Sequence, residues 1–214
     1  MIGESDERDE RTTTLADRAY DHVRNEILGG RLSVGSVVAE GTVAEELGIS
    51  KTPVREALQS LRRDGLLELG PRRQVIVRGF SDEHRREIVD VRIALESLSV
   101  RRACERMTIE QIDQLRLLLI QQKRAVDAHD EDRFIELDER FHLHIAAGAD
   151  LPTVERFLAQ LRGFVRVMRL GRTRPAGVLQ EVWSEHERIA DLIEGRKPAQ
   201  AARALREHIE HVDY

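Results

Sequence analysis

Cysteine is nearly absent: Cys104 stands alone among 214 residues, so no internal disulfide can form and burial must hold the fold. That scarcity points to a reducing compartment, and a cytoplasmic location is the expectation. Aromatic residues make up only 4% and prolines number five, a composition that disfavours a β-sandwich or barrel and suits a helix-rich chain. No apolar run approaches the roughly 20 residues that span a bilayer, and the opening residues are acidic and polar rather than basic then apolar. Neither membrane insertion nor secretion is expected. Catalytic signatures are missing as well. The chain has no His-Glu-x-x-His, no glycine-rich phosphate loop and no Gly-x-Ser-x-Gly elbow, and only Glu139 and His142 offer the Glu-x-x-His spacing that a di-iron bundle needs twice. These absences argue against an enzyme.

Net positive charge is also lacking, the formal value being −5, but the charge is unevenly spread. Residues 51–78 hold seven Lys and Arg against three Asp and Glu, whereas residues 1–50 hold five against eleven. A basic stripe in an acidic chain is the footprint of a protein that meets nucleic acid through one small face.

Residues 1–11 offer little to bury beyond Ile2 and read as a disordered tail. From Thr14, the apolar positions Leu15, Ala19, Val23 and Ile27 repeat at helical spacing until Gly29-Gly30. A short helix over about 42–47 ends at Gly48, and a third follows Ser50, capped by Ser50 or Thr52 with Pro53 in its first turn. Leu66–Leu69 and Gln74–Val77, separated by Gly70-Pro71-Arg72-Arg73, read as a hairpin. The expected architecture is mainly α: a winged helix-turn-helix over 12–78, a linker over 79–81, and an antiparallel all-helical bundle over 82–214. Six helices are expected there, at roughly 82–106, 108–128, 131–147, 151–170, 175–194 and 198–213.

On the third helix Val54, Leu58 and Leu61 share one face, while Lys51, Thr52, Arg55, Gln59 and Arg62 gather on the other. Arg or Lys can reach guanine in the major groove and Gln can reach adenine, while Arg72 and Arg73 at the hairpin tip can reach phosphate or the minor groove. An isolated basic helix is more often an ordinary solvated surface. The order helix, helix, turn, basic helix and hairpin makes duplex DNA the expected partner. The run LGISKTPVREALQSLRRDGLLEL resembles the winged-helix signature of the GntR family over residues 14–78, with Lys51 where the family usually has Arg. The resemblance implies operator contacts from Lys51, Thr52, Arg55 and the helix start near Glu40, with Ser50 alongside, and dimeric binding to short palindromes. Gly41, where many members carry an Arg, and Gln74, where a wing-tip glycine is usual, depart from the pattern.

In the rear segment Asp138 and His142 lie one helical turn apart, in a stripe with Ile135 and Ile145. His186 is in phase with Ile189 and Ile193, and His208 with Ala201, Leu205 and Val212. Three helices thus aim polar donors inward, within apolar stripes rather than among charges. Each is either a core histidine bonded to a carbonyl or a metal ligand; three His and one carboxylate suit Zn²⁺, Ni²⁺, Mn²⁺ or Fe²⁺. Residues 82–214 resemble the FCD ligand-binding domain of the FadR subfamily, in its six-helix, VanR-like form. That resemblance implies a divalent ion on Asp138, His142, His186 and His208, a small carboxylate effector and a homodimer. It also sets Arg92 toward the pocket, against the alternative of a salt bridge to Glu96. His22, His84, His129, His144 and His211 read as surface or structural, and Trp183 as core filling. The expected mechanism is effector-controlled operator affinity, transmitted through residues 78–82; a purely structural metal in a constitutive dimeric repressor, or a metal-dependent enzyme, are the alternatives.

Overall fold

The structure is a computed structural model that describes residues 14–169 and 177–213. The expected tail over 1–11 lies outside them. The chain divides into two compact units, Met1–Gly79 and Phe80–Tyr214.

The first unit contains α1 (Leu15–Leu28), α2 (Glu40–Leu47), α3 (Lys51–Arg63) and the strands β1 (Leu67–Leu69) and β2 (Val75–Val77). Thr14 and Asp17 form a reciprocal capping box that starts α1. Gly48, at φ 65, ends α2 in the left-handed region and turns the chain into α3. Helix α2 begins at Glu40, two residues before the expected start. Ser50 occupies the N-cap position of α3, but neither it nor any other side chain makes the capping bond, and its hydroxyl stays exposed. The capping role expected of Ser50 is therefore corrected.

Burial explains why the helices stay together. Ala19, Val23 and Ile27 of α1 meet Val54, Leu58 and Leu61 of α3, all 2% exposed or less. Each such side chain stabilises the unit by about 1.5–3 kcal/mol relative to exposure. Tyr20 donates a 2.8 Å hydrogen bond to Asp64, joining α1 to the end of α3; burial, with help from Asp64, pushes its phenol up to about 12. The wing is antiparallel, Leu67 opposite Val77 and Leu69 opposite Val75, with Val37 adding a bridge to Ile76.

Among the described residues the second unit contains six helices: α4 (Asp82–Arg106), α5 (Ile109–Asp127), α6 (Glu131–Gly148), α7 (Pro152–Arg169), α8 (Val178–Glu194) and α9 (Pro198–Asp213). Ser81, Thr108 and Asp130 each accept a bond from a first-turn backbone N–H, so side chains mark the starts of α4, α5 and α6. Residue 170 and residues 175–176, expected at helix ends, fall outside the described residues. A core of Val89, Ile93, Val100, Leu115, Leu119, Phe141, Ile189, Ile193 and Leu205 binds α4, α5, α6, α8 and α9 together. The Trp183 indole N–H donates to the Leu119 carbonyl at 3.1 Å while its ring packs beside Leu118, Phe134 and Val182, so it fills the core.

Candidate DNA-reading surface and metal centre

All of Lys51, Thr52, Arg55, Gln59 and Arg62 are exposed on α3, opposite its buried apolar face. Glu40 at the start of α2 accepts two hydrogen bonds from Arg55, at 2.8 and 3.2 Å, and this guanidinium holds the Glu40 carboxyl below its usual range. Arg55 is thereby held in one orientation while staying accessible. Lys51 reaches over Gly41, its Cε 3.9 Å from where a Cβ would stand, so the missing side chain leaves room for the ammonium. Arg72 and Arg73 are exposed in the β1–β2 turn, Arg73 at φ 59. They sit on a separate projection from the α3 set.

In the helical unit the four sequence-predicted ligands come together. Asp138 and His142 from α6, His186 from α8 and His208 from α9 are all buried and offer one atom each within 4.8 Å of one another. Asp138 Oδ1 lies 3.7 Å from Nε2 of His142 and 3.5 Å from Nε2 of His186, and the Nε2 atoms of His186 and His208 are 3.3 Å apart. The other ring nitrogens face outward. Nδ1 of His142 meets Glu96 at 2.5 Å, that of His186 meets Gln122 at 2.9 Å and that of His208 meets Glu185 at 2.8 Å. Carboxylates accept only, and the Gln122 amide donates to the Leu137 carbonyl at 3.1 Å, which turns its oxygen to His186. Each Nδ1 therefore carries the proton, and three unprotonated Nε2 atoms converge on a carboxylate oxygen.

Electrostatics hold two of the rings, those of His186 and His208, neutral. Burial pushes His186 well below its usual value, outweighing Asp138, and pushes His208 down to about 3 against the pull of Glu185. Neutral imidazoles with a fixed tautomer are what a metal requires of its ligands, so the donor set fits a divalent ion. Phe141 stacks on His186 at 4.3 Å between ring centroids and limits its rotation.

The surroundings differ from the expected apolar stripe. Arg92, 0% exposed, donates to Glu96 at 2.6 Å and sets Nη2 3.5 Å from Nε2 of His142; Arg162 ion-pairs with Asp138. Arg92 makes the salt bridge to Glu96 that was one of its two expected roles, and it also lies beside His142. Burial alone would raise the Glu96 carboxyl, but Arg92, His142 and Arg162 hold it well below its usual range. Every prospective ligand residue thus has a polar side-chain partner, whereas the sequence left a backbone carbonyl or an ion as the alternatives. The physical reason is that charged residues on facing helices also turn inward. His144 donates from Nε2 to the Gln111 carbonyl at 2.7 Å, and His211 meets Glu185 at the surface.

Comparison with known proteins follows the same division of the chain. Residues 15–77 match the family model described as "Bacterial regulatory proteins, gntR family", and residues 87–211 match that of the FCD domain. The chain belongs to the GntR family. It is 28% identical over 205 residues to the HTH-type transcriptional repressor RspR of Escherichia coli K12, covering 94% of this chain and 88% of that one. It is 29% identical over 198 residues to a probable D-xylose utilization operon transcriptional repressor of Paenarthrobacter nicotinovorans, covering 92% and 86%. The solved structure of E. coli McbR/YncC has the same fold, with a TM-score of 0.83 at 23% identity over 92% of this chain and 94% of that one. This GntR-family chain is a DNA-binding transcription regulator rather than an enzyme. Among its described residues no helix is long and apolar enough to cross a membrane.

Sequence reasoning missed Gln122, Arg162 and Glu185, and it weighed Glu96 only as a partner for Arg92. A signal existed: Arg162 is in phase with Leu158 and Val165, and Gln122 with Leu115, Leu119 and Ala125. Replacing Glu96 by alanine strips Arg92 and His142 of a buried carboxylate and is expected to cost about 3–5 kcal/mol. Urea unfolding of the full chain measures this, and a loss below about 1 kcal/mol would mean that water reaches Arg92.

Proposed function

We infer that this GntR-family regulator binds a palindromic operator as a homodimer, and that its operator affinity is set by a small carboxylate effector. The effector is received at a divalent ion held by Asp138, His142, His186 and His208. The observation that carries this reading is the convergence of three deprotonated Nε2 atoms and a carboxylate oxygen, each imidazole proton being directed to an acceptor outside the cluster. Zn²⁺, Ni²⁺, Mn²⁺ and Fe²⁺ suit this set, and such an ion supplies a Lewis-acidic position for an effector oxygen. In this reading Arg92, whose Nη2 lies 3.5 Å from Nε2 of His142, contacts the effector's carboxylate.

On the DNA side, Arg55, held by Glu40, together with Lys51, Thr52 and Gln59 reads base edges, while Ser50, Arg62, Arg72 and Arg73 hold phosphates. Helices α4 and α7 pack together and leave Val91, Leu98 and Phe157 43%, 43% and 49% exposed, apolar surface that a second copy would cover. The lone buried thiol of Cys104 suits the cytoplasm. The Paenarthrobacter relative, named for a D-xylose utilization operon, supports a catabolic metabolite as the signal.

A second reading, a constitutive repressor, is favoured by one observation: the ligand residues have polar partners without an ion. Band shifts on the chain's own upstream DNA separate the two. The sensor reading expects one organic acid of a panel to change operator affinity about 5–150-fold in metal-loaded protein and not in chelator-stripped protein. Affinity unmoved by every acid in both forms selects the constitutive reading.

A further inference from the structure

The outward face of α3 carries more positive charge than its neighbours balance. Lys51, Arg55, Arg62 and Arg63 are exposed along it, and Glu56 is the only acidic residue of the helix. Among the described residues Arg55 alone of the four cations forms an ion pair, with Glu40. The chain holds a counter-charge of its own just ahead of α1. Residues 1–13 include Glu4, Asp6, Glu7, Asp9 and Glu10 against Arg8 and Arg11, three negative charges in excess. Their covalent attachment point is close to the basic face. Tyr20 of α1 bonds Asp64, which directly follows Arg63, and the six residues from Thr14 to Tyr20 rise only about 9 Å as helix. Thirteen residues of chain can span up to about 43 Å, and the whole of α3 is about 20 Å long. The carboxylates therefore reach Arg62 and Arg63 with chain to spare.

We propose that the acidic segment over residues 4–10 docks on the exposed basic face of α3, from Arg63 toward Arg55, and competes there with duplex DNA. Tethering favours the contact, because a ligand on a short linker acts at an effective concentration in the millimolar range. Each solvent-exposed ion pair contributes little, so the segment yields to a duplex, whose phosphates present a denser line of charge. The docked fraction must be released before DNA can bind, and it lowers the apparent affinity for every duplex by one common factor. Release also exchanges one set of ionic contacts for another. Fewer counterions are then freed on binding DNA, and the dependence of affinity on salt becomes shallower than that of an unoccupied face. The segment acts as a brake on DNA binding that needs neither metal nor effector.

The test uses the full chain with Glu4→Gln, Asp6→Asn, Glu7→Gln, Asp9→Asn and Glu10→Gln together, its binding to random-sequence duplex followed by fluorescence anisotropy. At low salt this neutral variant is expected to bind about threefold to tenfold more tightly than the unaltered chain, with a steeper salt dependence, and the difference should shrink as salt rises. A variant with residues 4–10 in scrambled order keeps the charge and should bind as the unaltered chain does. Equal affinity of the neutral and unaltered chains overturns the proposal. Docking itself is read without DNA. Arg62→Lys keeps the charge and supplies an amine, which a carbodiimide should couple to a carboxylate of residues 4–10; peptide mass spectrometry maps the link, and added duplex should suppress it. Tighter binding by the neutral variant with no such coupling would assign the effect to repulsion between the segment and DNA, and that result also overturns docking. If the unaltered chain bound no duplex at all, the DNA-reading assignment of α3 would fail separately, and the coupling would still decide whether the segment docks.

Discussion

Replacing Lys51 and Arg55 together by alanine is expected to weaken operator binding by about two to four orders of magnitude, because each contributes about 1–3 kcal/mol through bonds to bases or phosphates. Both side chains are exposed and neither belongs to the apolar face of α3, so folding should be untouched. Band shifts at several salt concentrations measure two quantities at once. Affinity falls, and the slope of log affinity against log salt becomes shallower by about one for each phosphate that the variant no longer neutralises. Arg55 has the sharper role. Its guanidinium is held by two bonds to Glu40, so Glu40→Gln should loosen it and relax discrimination between operators more than it lowers affinity for random duplex. An unchanged affinity in the double variant would place the recognition surface elsewhere, whatever the fold.

Removing Asp138 is expected to lower metal affinity by more than about 100-fold, since even outer partners of a metal site typically contribute 10–100-fold. Asp138→Asn is the informative substitution, because it keeps the volume and removes the charge that faces both His142 and His186. Mass-spectrometric metal content after dialysis, together with competition against a chelator, measures the loss. His208→Ala should behave alike, and Glu185→Gln should give the smaller loss of an outer partner, because Glu185 orients His208 without touching the centre. Unchanged metal content in Asp138→Asn would mean that the cluster is a satisfied polar core and not a metal centre. Its consequences would extend to the effector, whose proposed seat is the same ion.

The two sites were legible in the sequence to different depths. The winged unit announces itself through local signals. Gly48 must turn left, Pro53 suits a first turn, and a glycine-proline pair lies between two apolar runs that pair as a hairpin. Even so, the side-chain cap expected at Ser50 is absent, because a hydroxyl at a helix start can point to solvent as readily as to the backbone. The ion pair between Glu40 and Arg55 joins residues fifteen apart on two helices, and nothing in the spacing alone reveals it.

The helical unit shows the limit more clearly. Periodicity fixed which way Asp138, His142, His186 and His208 turn, since each shares a phase with apolar neighbours that must be buried. The same periodicity holds Glu96, Gln122 and Arg162 inward, yet a polar residue in an apolar phase is ordinarily read as solvated, and so Gln122 and Arg162 were missed and Glu96 was weighed only as a partner for Arg92. What the amino-acid order determined on its own was the helices, their inward faces and the identity of the converging donors. Which inward residues of different helices meet was decided only by tertiary packing: the imidazole partners, the pairing of two guanidiniums with two carboxylates, and the direction of each ring proton. The reason is physical. A helical phase is a local property of a few turns, whereas ion pairing and hydrogen bonding in a bundle depend on the separation and relative rotation of neighbouring helices, which the whole core sets at once.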